Sequence, residues 1–316
     1  MKIYLIGGGR DFLEKIQIVL NDEGIKDTKI FISKEVSPKE LAENAPDCEI
    51  LVASPSGFRD LTREHMKSMP NLKFITTTSV GTDWIDIQAA KELNIVVSNQ
   101  KGVNSEAVAE HCFGMILDLS KRITKSDRDI REEKVGDLSK YTGINLFGKT
   151  LGIIGTGDVG KKIARIARGF NMKILGTNKS KIKLQDIEIV DLELLLKKSD
   201  IVAVAVPLTD DTEDLLSSKE FEFVKKGAII VSIAREKVIN KKAILQALNT
   251  NKLFGFGLDA EIAVPISKDD PYLQSDKIVI TPHTASITEE SEKGYASMTA
   301  ENIKAFQGGK LIRVVN

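Results

Sequence analysis

The stretch KTLGIIGTGDVGKKIARIARGFNMKILGTNKS, Lys149 to Ser180, decides how this chain folds. Leu151 to Gly155 is a short apolar run of the buried-strand kind. Ile163, Ala167 and Phe170 recur beyond it at helical spacing, so the order is strand, turn, helix. The turn is Gly155, Thr156, Gly157, Asp158, Val159 and Gly160, a GxGxxG pattern. Its first glycine allows a tight turn, its second lets the backbone approach a pyrophosphate, and its third lets helix pack closely on strand. A second apolar strand, Lys173 to Thr177, follows at the βαβ distance, so the context is right on both sides of the turn. All six turn residues are candidate dinucleotide contacts, with the helix N-terminus offering unpaired N–H groups to the phosphates. Gly7, Gly8 and Gly9, after the apolar run Lys2 to Ile6, form a decoy. Phe12 stands where its third glycine would be, and this turn reads as an ordinary strand-ending loop.

The tip of the second strand sets the expected cofactor. A site built for NAD places Asp or Glu there to accept from the ribose hydroxyls and repel a 2′-phosphate. This chain has Asn178, Lys179, Ser180 and Lys181. Two ammonium groups and two small polar side chains suit a phosphate better than a bare diol, because charge-assisted hydrogen bonds are the stronger kind. NADP is therefore expected to be preferred over NAD.

At 316 residues the chain has room for two domains, and 42% hydrophobic with 28% charged residues places it among ordinary globular proteins. Lys plus Arg balance Asp plus Glu at 45 each, so no global field draws the chain to nucleic acid or an anionic membrane. A small molecule is the expected partner. Ile3 to Ile6 is too short for a signal-peptide core, and no apolar run reaches the length of a membrane span. Cys48 and Cys112 match no metal or redox spacing, so no metal site, reduced thiols and a cytoplasmic location are expected.

From Met1 to Asn99, strand-like runs (Lys2 to Ile6, Lys29 to Ile32, Ile50 to Ser54, Phe74 to Ser79, Ile95 to Asn99) alternate with helical patterns (Phe12 to Asp22, Pro38 to Asn44, Leu61 to Met69, Ile85 to Leu93). Alternation of this kind predicts a parallel sheet with helices on both faces and ligands beyond the carboxyl ends of its strands. The loops Ser54 to Gly57 and Ser79 to Gly81 lie at such ends, and their small residues can expose N–H groups to an anion. Asn104 to Ile123 reads as a helix apolar on more than one face, suited to a domain crossover or a dimer interface. His111 within it is read as structural, and His65 as solvated. Thr124 to Asn145 is polar and loosely patterned. Strands Ile201 to Val206, Ala228 to Ala234, Phe254 to Leu258 and Lys277 to Thr281 bring the second sheet to six, and a helix from Thr288 to Phe306 leads to a tail, Leu311 to Val315, expected to rejoin the first domain.

The fold class is therefore α/β, with two doubly wound parallel-sheet domains: a Rossmann dinucleotide-binding domain, residues 100–284, inserted into a discontinuous flavodoxin-like substrate domain, residues 1–99 plus 285–316. Arg235, Asp259 and His283 each follow a strand of the inserted domain. A guanidinium grips a carboxylate with two parallel hydrogen bonds and polarises an adjacent carbonyl. Histidine is the natural donor of the proton that follows a hydride onto that carbonyl oxygen.

The segments SVGTDWID (79–86), GVNSEAVAEH (102–111), KTLGIIGTGDVG (149–160), VPLTDDT (206–212), SIAREKVI (232–239), FGLDAE (256–261) and TPHTAS (281–286) together resemble the D-isomer-specific 2-hydroxyacid dehydrogenases, in that family's order. The resemblance implies NAD(P)-dependent hydride transfer between the nicotinamide and a small 2-keto or D-2-hydroxy acid such as glyoxylate or hydroxypyruvate. It implies that Arg235 clamps the carboxylate and His283 is the acid in reduction and the base in oxidation. Val80 and Gly81, with Ser56 and Gly57, would hold the other carboxylate oxygen. Val206, Pro207 and Thr212 would border the adenosine, Ile233, Ala234 and Asp259 would line the nicotinamide, and His283 and Ser286 are further implied cofactor contacts. A homodimer through the helix near 104–123 is implied too.

Departures accompany the matches. The family's glutamate before Pro265 is Val264 here, and Lys101 replaces a proline. Without that carboxylate His283 loses a countercharge and a restraint on its tautomer, unless Glu261 substitutes. Hydride transfer is expected to survive in weakened form. The same departure opens an alternative: a catalytically weakened, cofactor-sensing interaction protein.

Overall fold

A computed structural model describes residues 1–179, 184–260 and 266–316. The chain divides into two compact units, Met1–Asn104 with Ile287–Asn316, and Ser105–Ser286.

In the first unit β1 (Ile3–Gly7), α1 (Arg10–Asp22), β2 (Thr28–Ile32), α2 (Pro38–Asn44), β3 (Ile50–Ala53), α3 (Arg63–Lys67), β4 (Phe74–Thr77), α4 (Ile87–Glu92) and β5 (Val96–Ser98) follow one another. The strands pair in parallel in the order β2-β1-β3-β4-β5, the flavodoxin-like order. β1, β3 and β4 are buried along their whole length, which is why β1 and β3 read as continuous apolar runs rather than alternating ones. Local chemistry sets the helix starts: Ser37 and Glu40 form a capping box around Pro38. Residues 100–104 belong to this unit because buried Gln100 donates to the Thr77 carbonyl and to Thr299, and Asn104 donates to Tyr295. The expected boundary, 99/100, falls short of these ties. The tail lies antiparallel beside β5, with Val315 N–H donating to Val97 O and Asn99 N–H to Arg313 O.

The second unit runs α5 (Ser105–Lys121), α6 (Ile123–Arg131), β6 (Thr150–Ile154), α7 (Asp158–Gly169), β7 (Lys173–Thr177), β8 (Glu188–Ile189), α8 (Leu192–Lys198), β9 (Ile201–Val204), α9 (Ser218–Phe223), β10 (Ala228–Ser232), α10 (Lys241–Asn249), β11 (Leu253–Asp259) and β12 (Ile278–Thr281). Its parallel sheet has the order β12-β11-β10-β9-β6-β7-β8, the doubly wound dinucleotide-binding order extended by one strand. Six strands were expected and seven are present among the described residues. The additional one, β8, has only two residues, too few for any period to show. One core layer packs α5 and α7 on the sheet and the other packs α8, α9 and α10 on it. Helix α11 (Glu289–Gln307), capped by Thr288, returns to the first unit and stacks Phe306 on Phe74 at 4.4 Å between ring centres.

The region Thr124 to Asn145 is more ordered than its polarity suggested. Arg122 takes a left-handed φ of 58°, which ends α5, and α6 starts at the next residue with Asp118 accepting from Thr124 N–H and Oγ1.

Candidate active site

The β6–α7 turn has the geometry its glycines require. Gly155 sits at φ +97°, and a Cβ there would lie 2.4 Å from the Ala205 carbonyl oxygen. A Cβ on Gly160 would lie 2.2 Å from Gly155 O, so only glycine lets α7 come this close to the strand end. Gly157 differs: a Cβ there would meet nothing within 4 Å, although it is the N-cap of α7 and contributes no side-chain cap. Protein packing thus accounts for two of the three glycines and leaves open space at the third, beside the first N–H groups of a helix opened by Asp158 and Val159. That cradle fits a pyrophosphate.

Asn178, at the end of β7, donates to Thr156 Oγ1 at 2.7 Å and so faces the glycine turn. Lys179 is exposed and pairs with Asp211 at 2.6 Å. Ser180 and Lys181 lie outside the described residues. Val206 borders Gly155, and Thr212 Oγ1 donates to Pro207 O at 2.6 Å, closing the loop that follows β9.

The three chemistry-bearing residues follow the carboxyl ends of three adjacent strands. Ile233, Ala234 and Arg235 follow β10. Buried Asp259 ends β11, and His283 follows β12 with a left-handed φ of 54°. Asp259 accepts from Thr281 Oγ1 at 2.6 Å, Thr284 N–H at 2.8 Å and Ala285 N–H at 3.1 Å. Ser286 closes this segment. Glu261, Val264 and Pro265 lie outside the described residues. His111, on α5, is 2.9 Å from Thr281 Oγ1. Sequence reasoning left this histidine and Thr281 out of the site. The signal was present in the segment TPHTAS, but the partner lies 170 residues away in the chain.

In the first unit, Ser79 N–H and Oγ and the Ser79 carbonyl are bound to Thr77, Asn99 donates to Val80 O, and Trp84 Nε1 donates to Gly81 O. The carbonyls of the loop are consumed, whereas among the described residues nothing accepts from the Val80 or Gly81 N–H. Trp84 is thereby committed to the loop and stacks on Phe58. Ser56 Oγ accepts from Gly8 N–H, and a Cβ on Gly57 would lie 2.5 Å from Gly7 Cα, so these two residues are engaged in holding the β1 turn. His65 is not a solvated side chain. Its Nδ1 accepts from Thr62 N–H, which leaves Nε2 to donate to Val36 O at 2.9 Å.

A doubly wound sheet carrying this turn, with Arg235, Asp259 and His283 along one rim, defines a dinucleotide-dependent oxidoreductase. Comparison with known proteins makes the assignment particular. The family model "D-isomer specific 2-hydroxyacid dehydrogenase, NAD binding domain" matches residues 113–285. Glyoxylate reductase of Korarchaeum cryptofilum is 35% identical over 284 residues, covering 87% of this chain and 84% of the relative. Among solved structures, an acyclic imino acid reductase in complex with NADPH and D-Arg is 28% identical at a TM-score of 0.88, covering 100% of both chains. D-Lactate dehydrogenase from Aquifex aeolicus, complexed with NAD and lactic acid, is 29% identical at a TM-score of 0.83, covering 98% of this chain and 96% of that one. The chain belongs to the D-isomer-specific 2-hydroxyacid dehydrogenase family and is an NAD(P)-dependent oxidoreductase of hydroxy acids. Nothing in these comparisons supports the cofactor-sensing alternative. Among the described residues no helix is long and apolar enough to cross a membrane.

Proposed function

We propose that this protein reduces a small 2-keto acid of the glyoxylate or hydroxypyruvate type to the 2-hydroxy acid. The adjacency of Arg235, Asp259 and His283 on neighbouring strand ends carries the reading. When bound, the nicotinamide supplies the hydride. Arg235 holds the substrate carboxylate and orients the keto oxygen, and the Val80 and Gly81 N–H groups donate to a carboxylate oxygen. His283 donates the proton that completes reduction and takes it back in oxidation. Gly155 to Gly160 hold the pyrophosphate, Val206, Pro207 and Thr212 border the adenosine, Ile233, Ala234 and Asp259 line the nicotinamide, and Ser286 is a further cofactor contact. The imino acid reductase and the lactate dehydrogenase named above are in complex with NADPH and NAD respectively, so the scaffold holds either.

The preference inferred for this chain is NADP(H). No carboxylate ends β7, and the surface pair of Lys179 with Asp211 is weak enough to exchange for a phosphate. A homodimer is proposed as well, but not on α5 itself, whose apolar side chains are consumed inside its own unit. Exposed Ile123, Ile130, Val135, Leu138 and Phe147 just beyond it offer the apolar surface a second copy would cover.

Following nicotinamide absorbance with glyoxylate, hydroxypyruvate and pyruvate, each with NADPH and NADH, tests the reading. Turnover of at least one acid is expected, and Arg235→Ala should lower kcat/KM by about 10²-fold or more. Coenzyme binding without turnover of any acid would refute it.

A further inference from the structure

Asp259 is buried, and its carboxylate faces three donors, Thr281 Oγ1, Thr284 N–H and Ala285 N–H, at 2.6, 2.8 and 3.1 Å, with His111 Nε2 3.9 Å from its Oδ1. A threonine hydroxyl has one proton. At 2.6 Å from a carboxylate oxygen, Thr281 spends that proton on Asp259, so its contact with His111 Nε2 at 2.9 Å must be one in which the imidazole donates. The result is a directional chain from His111 Nε2–H to Thr281 Oγ1–H to the Asp259 carboxylate. Two of the carboxylate's remaining bonds run to backbone N–H groups one and two residues after His283.

His283 needs such a restraint. Its φ of 54° is a left-handed conformation that a non-glycine residue holds only when its surroundings over-determine it. Its own N–H is bound to Thr281 O at 3.0 Å on one side, and Asp259 fixes the two residues on the other. β11 and β12 place Asp259 directly opposite Thr281, so the whole device rests on one rung of the sheet and one histidine of α5.

We propose that His111 and Thr281 are positioning residues that set the orientation of the proton-donating imidazole through Asp259. This rests on the reading of His283 as the acid. The chain His111–Thr281–Asp259 does the orienting from the backbone side, in a sequence where Val264 replaces the glutamate that the family resemblance places beside the acid.

The test compares Thr281→Val, which keeps shape and loses the hydroxyl, with Thr281→Ser, which keeps the hydroxyl. His111→Ala and His111→Gln form a second such pair. Misplacing a reacting group by about 1 Å can cost ~10²-fold, so Thr281→Val and His111→Ala are expected to lower kcat by roughly 10- to 100-fold. Coenzyme Kd, read by nucleotide fluorescence, should stay within about 2-fold because the pyrophosphate contacts are untouched. Thr281→Ser and His111→Gln should recover most of the rate. Loss of coenzyme affinity with kcat retained, equal rates for Thr281→Val and Thr281→Ser, or parallel loss of kcat and thermal stability in all four variants would each overturn the inference. His283→Gln separates the two claims. If it keeps turnover, the reading of the acid fails. If it is inactive while Thr281→Val is fully active, only the present inference fails.

Discussion

The turn after β1 and the turn after β6 both carry glycines between a buried parallel strand and a helix, and they carry them for different reasons. After β1 the chain itself fills the space at the first two glycines: Gly8 N–H donates to Ser56, a Cβ on Gly7 would lie 2.8 Å from Ser54 Cβ, and a Cβ on Gly57 would lie 2.5 Å from Gly7 Cα. Gly7 is not in the left-handed region, and α1 presents Phe12 where α7 presents Gly160. After β6 the strand end turns at φ +97°, α7 closes onto it, and the space beside Gly157 stays open. In the first turn glycine serves packing at Gly7 and Gly8, and at Gly9 an added Cβ would meet nothing within 4 Å. In the second it serves packing at two positions, and the third is where the proposed pyrophosphate would approach. Surface ion pairing does not separate the two helices, since Lys15 of α1 pairs with Glu292 of α11 and Lys162 and Arg165 of α7 pair with Glu106 of α5.

The largest expected effect contrasts two overpacked glycines. Gly160→Ala puts a Cβ 2.2 Å from Gly155 O and should weaken dinucleotide binding by about 10²-fold or more, because α7 must move away from the strand end. Gly57→Ala puts a Cβ 2.5 Å from Gly7 Cα and should destabilise the protein by about 1–3 kcal/mol, seen in denaturant unfolding, with coenzyme affinity unchanged once folded. A matching loss of coenzyme affinity in Gly57→Ala would erase the contrast.

A smaller change is expected at the tip of β7. Asn178→Asp introduces the carboxylate that accepts from ribose hydroxyls and repels a 2′-phosphate, and should move the NADPH-to-NADH ratio of kcat/KM toward NADH by about 10-fold. An unchanged ratio would place discrimination elsewhere.

The smallest effect concerns the ion pairs. The hydrogen bond from Lys162, with the charge of Arg165 beside it, holds the Glu106 carboxyl below the ordinary carboxylate range. A carboxyl whose pKa is lower folded than unfolded stabilises at pH above its unfolded value of about 4.3 and loses that contribution as pH falls through the folded value. Glu106→Gln should therefore lower Tm slightly at neutral pH and low salt, and the difference from the parent should vanish in acid and at high ionic strength. A difference that persists in acid would point to packing.

Much of this comparison was legible in the sequence because both turns follow apolar strands, and Phe12 against Gly160 is a difference of residue type. The strand ends bearing Arg235, Asp259 and His283 were readable for the same reason: each follows an uninterrupted buried run. What was not legible depends on partners distant in the chain. His65 looked solvated because its helix is charged, and only the fold brings Val36 O to it. The link from His111 to Thr281 spans 170 residues. α6 was hidden by its polarity, since its start depends on the backbone of Arg122 and the carboxylate of Asp118 rather than on an apolar stripe. The replacement at Val264 was visible as a residue change, but it lies outside the described residues.

The most direct test of the account uses the open glycine of each turn. Gly9 and Gly157 are both helix N-caps at which an added Cβ would meet nothing within 4 Å. Isothermal titration of NADPH and thermal melting of the unliganded protein should be measured for Gly9→Ala and Gly157→Ala. The account predicts that both variants melt close to the parent and that only Gly157→Ala loses affinity, by about 10-fold or more, because only there must a phosphate approach the backbone. Equal affinities in the two variants, or an affinity loss in Gly9→Ala alone, would contradict it.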